Sequence, residues 1–251
     1  MILAADSPLK RLPTQLNPRQ AMFLDAIRFT IEMADFAMER LLSSLTQLSS
    51  QSPAESRSFS FAVPRLLDSW SIIDSVHRLR GLFDKLPGLR KRSQSSEFRS
   101  FLTIAKQVEA LRNAVQHMNG AIGDKSAAPI RSPIWGALTW LTFQEDRTCV
   151  SSVLMPGSSH LMGSNTLINP AGRAPRQTPI DYVTLTQGDA SVDLCGAMLS
   201  VAGVSRPLEQ SLNEQFASLP ERMLSDLVFH MVGDFSPDGS LWTIRPSPPE
   251  Q

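Results

Sequence analysis

Three blocks of apolar residues, spaced three and four apart between Asn17 and Met118, constrain this chain more than any other feature of it. A stripe of that period is buried only when the backbone is helical and another surface covers it. The first block opens at "NPRQ". Asn17 is a good N-cap, Pro18 sits at the first helical position, where a missing N–H costs nothing, and Gln20 can reach back as in a capping box. Phe23, Ile27, Thr30, Ala34, Ala37, Leu41, Leu45 and Leu48 follow, which predicts a helix of about 25–30 residues. It should end before the polar run "SSQSPAESRS".

The second block predicts a helix from about Pro64 to Leu86, with Leu66, Leu67, Trp70, Ile73, Val76, Leu79, Leu82 and Phe83 on its apolar face. Pro87-Gly88 stops it. After "GLRKRSQSSE", Ser96 can cap a third helix, whose buried side is Phe98, Phe101, Leu102, Ala105, Val108, Leu111, Val115 and Met118. Asn119-Gly120 tolerates the left-handed conformation that ends helices. Three such helices joined by modest loops imply an antiparallel bundle.

Beyond Gly120 the texture changes. "GDKSAAPIRSP" reads as a linker or long loop, and "IWGALTWLTF" and "TCVSSVLMPG", separated by "QEDR", read as a strand pair. Gly157 to Pro179 should be irregular, and "YVTLTQGDASVDL" alternates about Gly188-Asp189 like a hairpin. Helix returns from about Leu194 to Phe216, broken or kinked at Pro207, and a further helix follows Ser218, whose spacing to Glu221 fits a capping box. The tail "RPSPPEQ" reads as extended and disordered. The expected class is therefore α+β: a helical bundle over residues 17–125, a β-containing region with closing helices over 132–235, and flexible tails at 1–16 and 243–251.

With 42% hydrophobic and 19% charged residues, the 251-residue chain belongs with globular proteins rather than disordered ones. Its 24 Lys and Arg balance 24 Asp and Glu, which argues against a general polyanion binder and leaves room only for a local basic region. Cys149 and Cys195 lack CxxC spacing, so they form no metal knuckle and no disulfide framework. The apolar run in "MILAADSPLKRLP" is short for a signal peptide, and no segment approaches about 18 uninterrupted apolar residues. The expectation is a cytoplasmic protein, not attached to a membrane, that uses neither cofactor nor metal.

The chemistry-bearing stretch is "EALRNAVQHMNG", residues 109–120, which sets Arg112, Asn113 and His117 within six residues. Asn113 and His117, at i and i+4, share a helix face, so the amide can orient the imidazole. Arg112 and His117 are about 140° apart around a straight helix. They meet only if the helix end loosens or a second copy of the chain brings them together. A neutral histidine can take a proton from a ribose 2′-hydroxyl, and an arginine can hold the scissile phosphate and offset charge growing on its oxygens. Between Val76 and Arg112 stand nine Lys and Arg (Arg78, Arg80, Lys85, Arg90, Lys91, Arg92, Arg99, Lys106 and Arg112) against three acids (Asp84, Glu97 and Glu109). Such a basic strip is what an RNA backbone would seek.

"RNAVQH" resembles the Arg-x4-6-His signature of the HEPN superfamily, whose members often carry Asn after the arginine. The resemblance covers roughly residues 17–125; the β-containing half resembles no family known to carry it. It implies a dimerising helical bundle and, in many members, a metal-independent ribonuclease of toxin–antitoxin, phage-defence or CRISPR-linked systems, with paired motifs across the dimer. On that basis Arg112 binds phosphate, His117 is the acid–base and Asn113 orients it or contacts RNA. Other members are nucleotide-binding or interaction modules, so a non-catalytic dimerisation or regulatory role stands as the alternative. A homodimer and RNA are the implied partners, and a cognate protein partner is unidentified.

A plainer reading of the same residues also stands. Arg112 pairs with Glu109, His117 caps the helix C-terminus and Asn113 faces water. His77, one turn after Asp74, reads as a hydrogen-bonded helix histidine or as a residue that orients a neighbour. His160 and His230 have no supporting ligand pattern, "GSSHLMG" lacks a GxSxG elbow, and "GDKS" lacks P-loop spacing. Asp181, Asp189 and Asp193 read as turn and cap residues.

Overall fold

The computed structural model describes residues 1–50, 62–86, 95–116, 133–143, 149–157 and 178–219, and the backbone of 231–235 and 242–246. Helix α1 (Pro18–Ser49) opens as its sequence predicts: Asn17 Oδ1 accepts the Gln20 amide at 3.0 Å and Pro18 sits in the first turn. Helices α2 (Ala62–Lys85) and α3 (Ser96–Gln116) follow. The cap of α3 is Ser95, whose Oγ accepts the Phe98 amide at 3.2 Å, rather than Ser96, which is already helical. Glu97 stands in that first turn, its carboxyl held below its ordinary value by its own backbone N–H and the Ser96 and Ser95 hydroxyls.

Strands β1 (Ala137–Phe143) and β2 (Cys149–Leu154) pair antiparallel, as do β3 (Ile180–Gln187) and β4 (Ala190–Asp193) about the turn at Gly188, φ +59. The two hairpins join edge to edge through β1 and β3, giving one antiparallel sheet in the order β2-β1-β3-β4. Strand β3 carries one extra residue against β1, where Tyr182 adopts φ +55 and its N–H donates to Asp181 Oδ1 at 2.8 Å. That bulge twists a central strand that is buried along nearly its whole length. Helix α4 (Leu194–Phe216) runs on from β4 through Pro207 as one element. Asp193 occupies its N-cap position without a side-chain capping bond.

The architecture is thus α+β: N-terminal antiparallel helices followed by a sheet and a helix. Paired polar contacts show the antiparallel order: Arg40 and Ser44 of α1 meet Asp68 and Arg65 of α2, and Asp74 and Arg80 of α2 meet Arg112 and Glu109 of α3. One contiguous core runs through all of it, joining Ile31, Leu41, Ile73, Leu79, Phe101 and Leu111 to Leu138, Val183, Leu185, Leu194 and Val201. Trp140 Nε1 donates to Ser49 Oγ at 2.9 Å, tying the end of α1 to β1, and Trp70 Nε1 donates to the Trp135 carbonyl at 3.1 Å, tying α2 to the turn before β1.

Three expectations need correction. Residues 1–16 are not a flexible tail: Leu3, Leu9 and Leu12 are buried, and Pro8–Lys10 forms a turn of 3-10 helix. At the chain end, residues 243–246 are no flexible tail, because Trp242–Pro246 (β6) pairs with Met231–Phe235 (β5), and residues 247–251 lie outside the described ones. Leu67 is 63% exposed, since α2 buries Arg65, Asp68 and Ser69 in its place. The helix expected after Ser218 and most of the segment from Gly157 to Pro179 lie outside the described residues. Among the described residues, no helix is long and apolar enough to cross a membrane.

Candidate functional site

Helix α2 sets Asp74, His77 and Arg80 at successive i, i+3 positions in "DSVHRLR", alongside the buried Ile73, Val76 and Leu79. Residues at that spacing line one edge of a helix. Helix α3 runs the other way and presents Glu109 and Arg112, also three apart, beside the buried Val108 and Leu111. The antiparallel register then pairs opposite charges twice. Arg112 Nε donates to Asp74 Oδ1 at 2.8 Å, and Arg80 Nη1 donates to Glu109 Oε2.

Arg112 is therefore placed at the α2–α3 seam, but its partner is Asp74 and not Glu109. Glu109 faces Arg80 across the seam, and the Arg80 hydrogen bond and charge hold its carboxyl below the ordinary range. Both pairs are part-exposed, with side-chain exposures of 26% for Arg112 and 47% for Asp74. A part-exposed pair such as Arg112–Asp74 contributes about 0–1 kcal/mol to stability, so its main effect is to orient the guanidinium.

His77 is half-buried within this set of charges. Its Nδ1 is buried and has no hydrogen-bond partner among the described residues. Burial pushes its pKa below the ordinary value, and Arg112 pushes it further down. Glu109 and Asp74 oppose that, and Arg80 adds to it. The imidazole is accordingly neutral near pH 7.

A stability consequence follows from this direction. The folded state holds the His77 proton less tightly than the unfolded chain, so its contribution is intact above the unfolded value near 6.5 and is lost as pH falls below it. The urea midpoint should drop between about pH 7.5 and about pH 5.5, and H77Q should flatten part of that drop. Glu109 works in the other window: its contribution is present above the ordinary carboxylate pKa and disappears as pH falls through its depressed folded value. An unchanged pH profile in a folded H77Q would refute the assignment to His77.

Asn113, Lys106 and Arg99 are exposed, and at seven-residue intervals they form a rank along the outer face of α3. Arg78 is exposed on α2. Of the predicted basic strip, Arg80 and Arg112 are neutralised by carboxylates, while Arg90, Lys91 and Arg92 lie outside the described residues. His117, the proposed acid–base, lies outside them as well. The structure thus brings together Arg112, Asp74 and His77. It leaves Asn113, Lys106 and Arg99 on the adjoining outward face.

Sequence reading missed Asp74 as the arginine's partner. The signal was there in the matched charge order of "DSVHRLR" and "EALR", but only once the two helices are aligned in antiparallel register. A separate open cleft of about 440 Å³ lies at the other end of α3, between Ser96, Glu97, Ser100 and Ile104 and the Gly196, Leu199, Ser200 and Gly203 positions of α4. It includes none of the charged groups of the seam. Among the described residues no group of three or more His, Cys, Asp or Glu is arranged to hold a metal ion. The chain matches no protein-family model, no curated protein and no solved structure.

Proposed function

We propose that this protein is a metal-independent endoribonuclease of a toxin or phage-defence type, acting in the cytoplasm as a homodimer. The observation that supports this reading best is the placement of Arg112: an oriented, part-exposed guanidinium at a helix seam, one residue from the exposed Asn113 and its rank of cations. In the proposed reaction His117 takes the proton of a ribose 2′-hydroxyl, and the freed oxygen attacks the adjacent phosphorus. The P–O5′ bond breaks, leaving a 2′,3′-cyclic phosphate and a 5′-hydroxyl that regains a proton. Arg112 offsets the charge that builds on the phosphoryl oxygens. A five-residue spacing would set Arg112 and His117 about 140° apart if one straight helix carried both, which is the reason to assign the assembled site to two subunits.

Purified protein should cleave a labelled RNA in excess EDTA and yield cyclic-phosphate ends, and it should leave uncut a substrate carrying 2′-deoxyribose at the scissile position. If an intact dimer cleaves no RNA, the nuclease reading is lost.

A second reading has its own support. Met22, Phe29, Met33 and Phe36 form an outward apolar stripe on α1, with Phe36 at 61% exposure. A non-catalytic HEPN-like dimerisation or regulatory module would use such a face, and it would survive loss of Arg112 and His117.

A further inference from the structure

The Arg112–Asp74 pair raises a problem for any anion that approaches Arg112, because a carboxylate already holds the guanidinium. The same helix suggests how it is solved. Asp74 is three residues before His77, within reach of an i, i+3 side-chain contact. His77 in turn carries a buried Nδ1 that lacks a partner among the described residues. An unmet buried polar atom costs free energy, so a carboxylate leaving Arg112 has a waiting position one turn along its own helix.

We infer that the α2–α3 seam is a phosphodiester-binding site in which Asp74 is a displaceable counter-ion and His77 receives it. A backbone phosphate takes the place of Asp74 on Arg112, and the Asp74 carboxylate turns to accept a hydrogen bond from His77 Nδ1–H. One phosphate charge replaces one carboxylate charge on the guanidinium, but the carboxylate stays in the seam, which so gains one negative charge. The carboxylate beside the imidazole then favours uptake of one proton from solvent, which adds an imidazolium to the seam. The groups facing His77 are Asp74 and Arg80 on α2, and Glu109 and Arg112 on α3. Arg80 remains paired with Glu109 throughout.

The choice of RNA as the ligand rests on the ribonuclease reading; the exchange itself does not depend on cleavage. Asp74 and His77 are positioning residues here. They govern how Arg112 is presented, and neither is asked to break a bond.

The test uses the full chain, EDTA and a fluorescent 2′-O-methyl RNA oligonucleotide, whose blocked 2′-oxygens prevent cleavage, with binding read by anisotropy at fixed salt. Wild-type protein should bind more tightly as pH falls from about 7.5 to about 5.5, by up to tenfold per pH unit for one linked proton. D74N removes the competing charge and should tighten binding about three- to fivefold near pH 7.5, the range that a part-exposed ion pair can supply. R112Q should weaken binding at least about tenfold. H77Q should bind with a flatter pH dependence than wild type.

A purely structural role for Asp74 makes the opposite prediction, because losing it would misplace Arg112 and weaken binding. Folded D74N that binds no more tightly than wild type overturns the proposal, as does H77Q with an unchanged pH slope. D74S replaces D74N if the asparagine variant fails to fold. Failure of wild-type protein to bind the oligonucleotide also overturns it. If binding shows these signatures but natural RNA is never cut, the exchange stands and the ribonuclease reading falls. If RNA is cut while D74N and H77Q bind as wild type, the reverse holds.

Discussion

Arg112→Ala should lower RNA cleavage by about 10²–10³-fold while leaving the fold intact, and His117→Ala should be at least as damaging. The two parts of that expectation come from different magnitudes. A guanidinium that stabilises a phosphoryl transition state acts on charge that appears only during reaction, which is why its removal costs orders of magnitude in rate. As a structural element, the Arg112–Asp74 pair is far weaker. Asp74 is 47% exposed, so water can solvate the carboxylate once the arginine is gone, and the stability loss should stay below about 1 kcal/mol. R112A should therefore show a near-wild-type urea midpoint together with lost cleavage. R112K keeps the charge but replaces the planar fork with a single ammonium, so it should recover binding better than it recovers rate. If R112A and H117A both retain full cleavage, neither residue has the role proposed for it. If R112A unfolds, Arg112 is a structural residue and its motif carries no functional weight.

Placing Arg112 on a bundle helix was within reach of the sequence, and so was much of the scaffold. Asn17-Pro18 announces α1, and the alternation around Gly188-Asp189 announces the β3–β4 hairpin, because caps and tight turns are written in neighbouring residues. Partners that depend on how elements dock are not written locally. Asp74 lies 38 residues before Arg112, and it becomes relevant only when α2 and α3 align antiparallel. The joining of β1 to β3 has the same character, since more than thirty residues separate the two hairpin partners in sequence.

Helix α2 shows why hydrophobicity alone misjudged a face. Arg65, Asp68 and Ser69 are buried because each has a polar partner in the folded state: Arg65 Nη2 donates to the Ser44 carbonyl at 2.7 Å, Asp68 meets Arg40, and Ser69 Oγ donates to the Arg65 carbonyl. Desolvation still registers on these groups. Burial lowers the pKa of Arg65 and raises that of Asp68, although Arg40 opposes the latter. Apolar periodicity does not see such partners, so it assigned the face to Leu67. Histidine 77 is a related case. The stripe beside it was legible, but whether its Nδ1 has a partner depends on the packed seam, where none is found among the described residues.

Phe101→Ala should be the most destabilising single change in the bundle, at about 3–5 kcal/mol. Phe101 is fully buried, and its ring meets Phe83 of α2 edge-on with centroids 5.5 Å apart, while Phe98 lies 6.3 Å from each of them. Truncation removes the transfer free energy of the ring, leaves a cavity between two rigid helices and breaks an aromatic pair worth about 0.5–1.5 kcal/mol on its own. Against a total stability of about 5–15 kcal/mol, that loss should shift the urea midpoint strongly. F101L, which fills most of the space, should lose much less. Leu67→Ala is the matched control: its side chain is 63% exposed, so it should change stability by less than about 0.5 kcal/mol despite its place in the apparent apolar stripe. Equal losses in F101A and L67A would mean that α2 buries a different face. Eleven residues of helix, about 16 Å, separate Phe101 from Arg112. F101A should therefore reduce cleavage only in proportion to the fraction unfolded, whereas R112A reduces it with the protein folded, and urea midpoints measured beside rates tell the two apart.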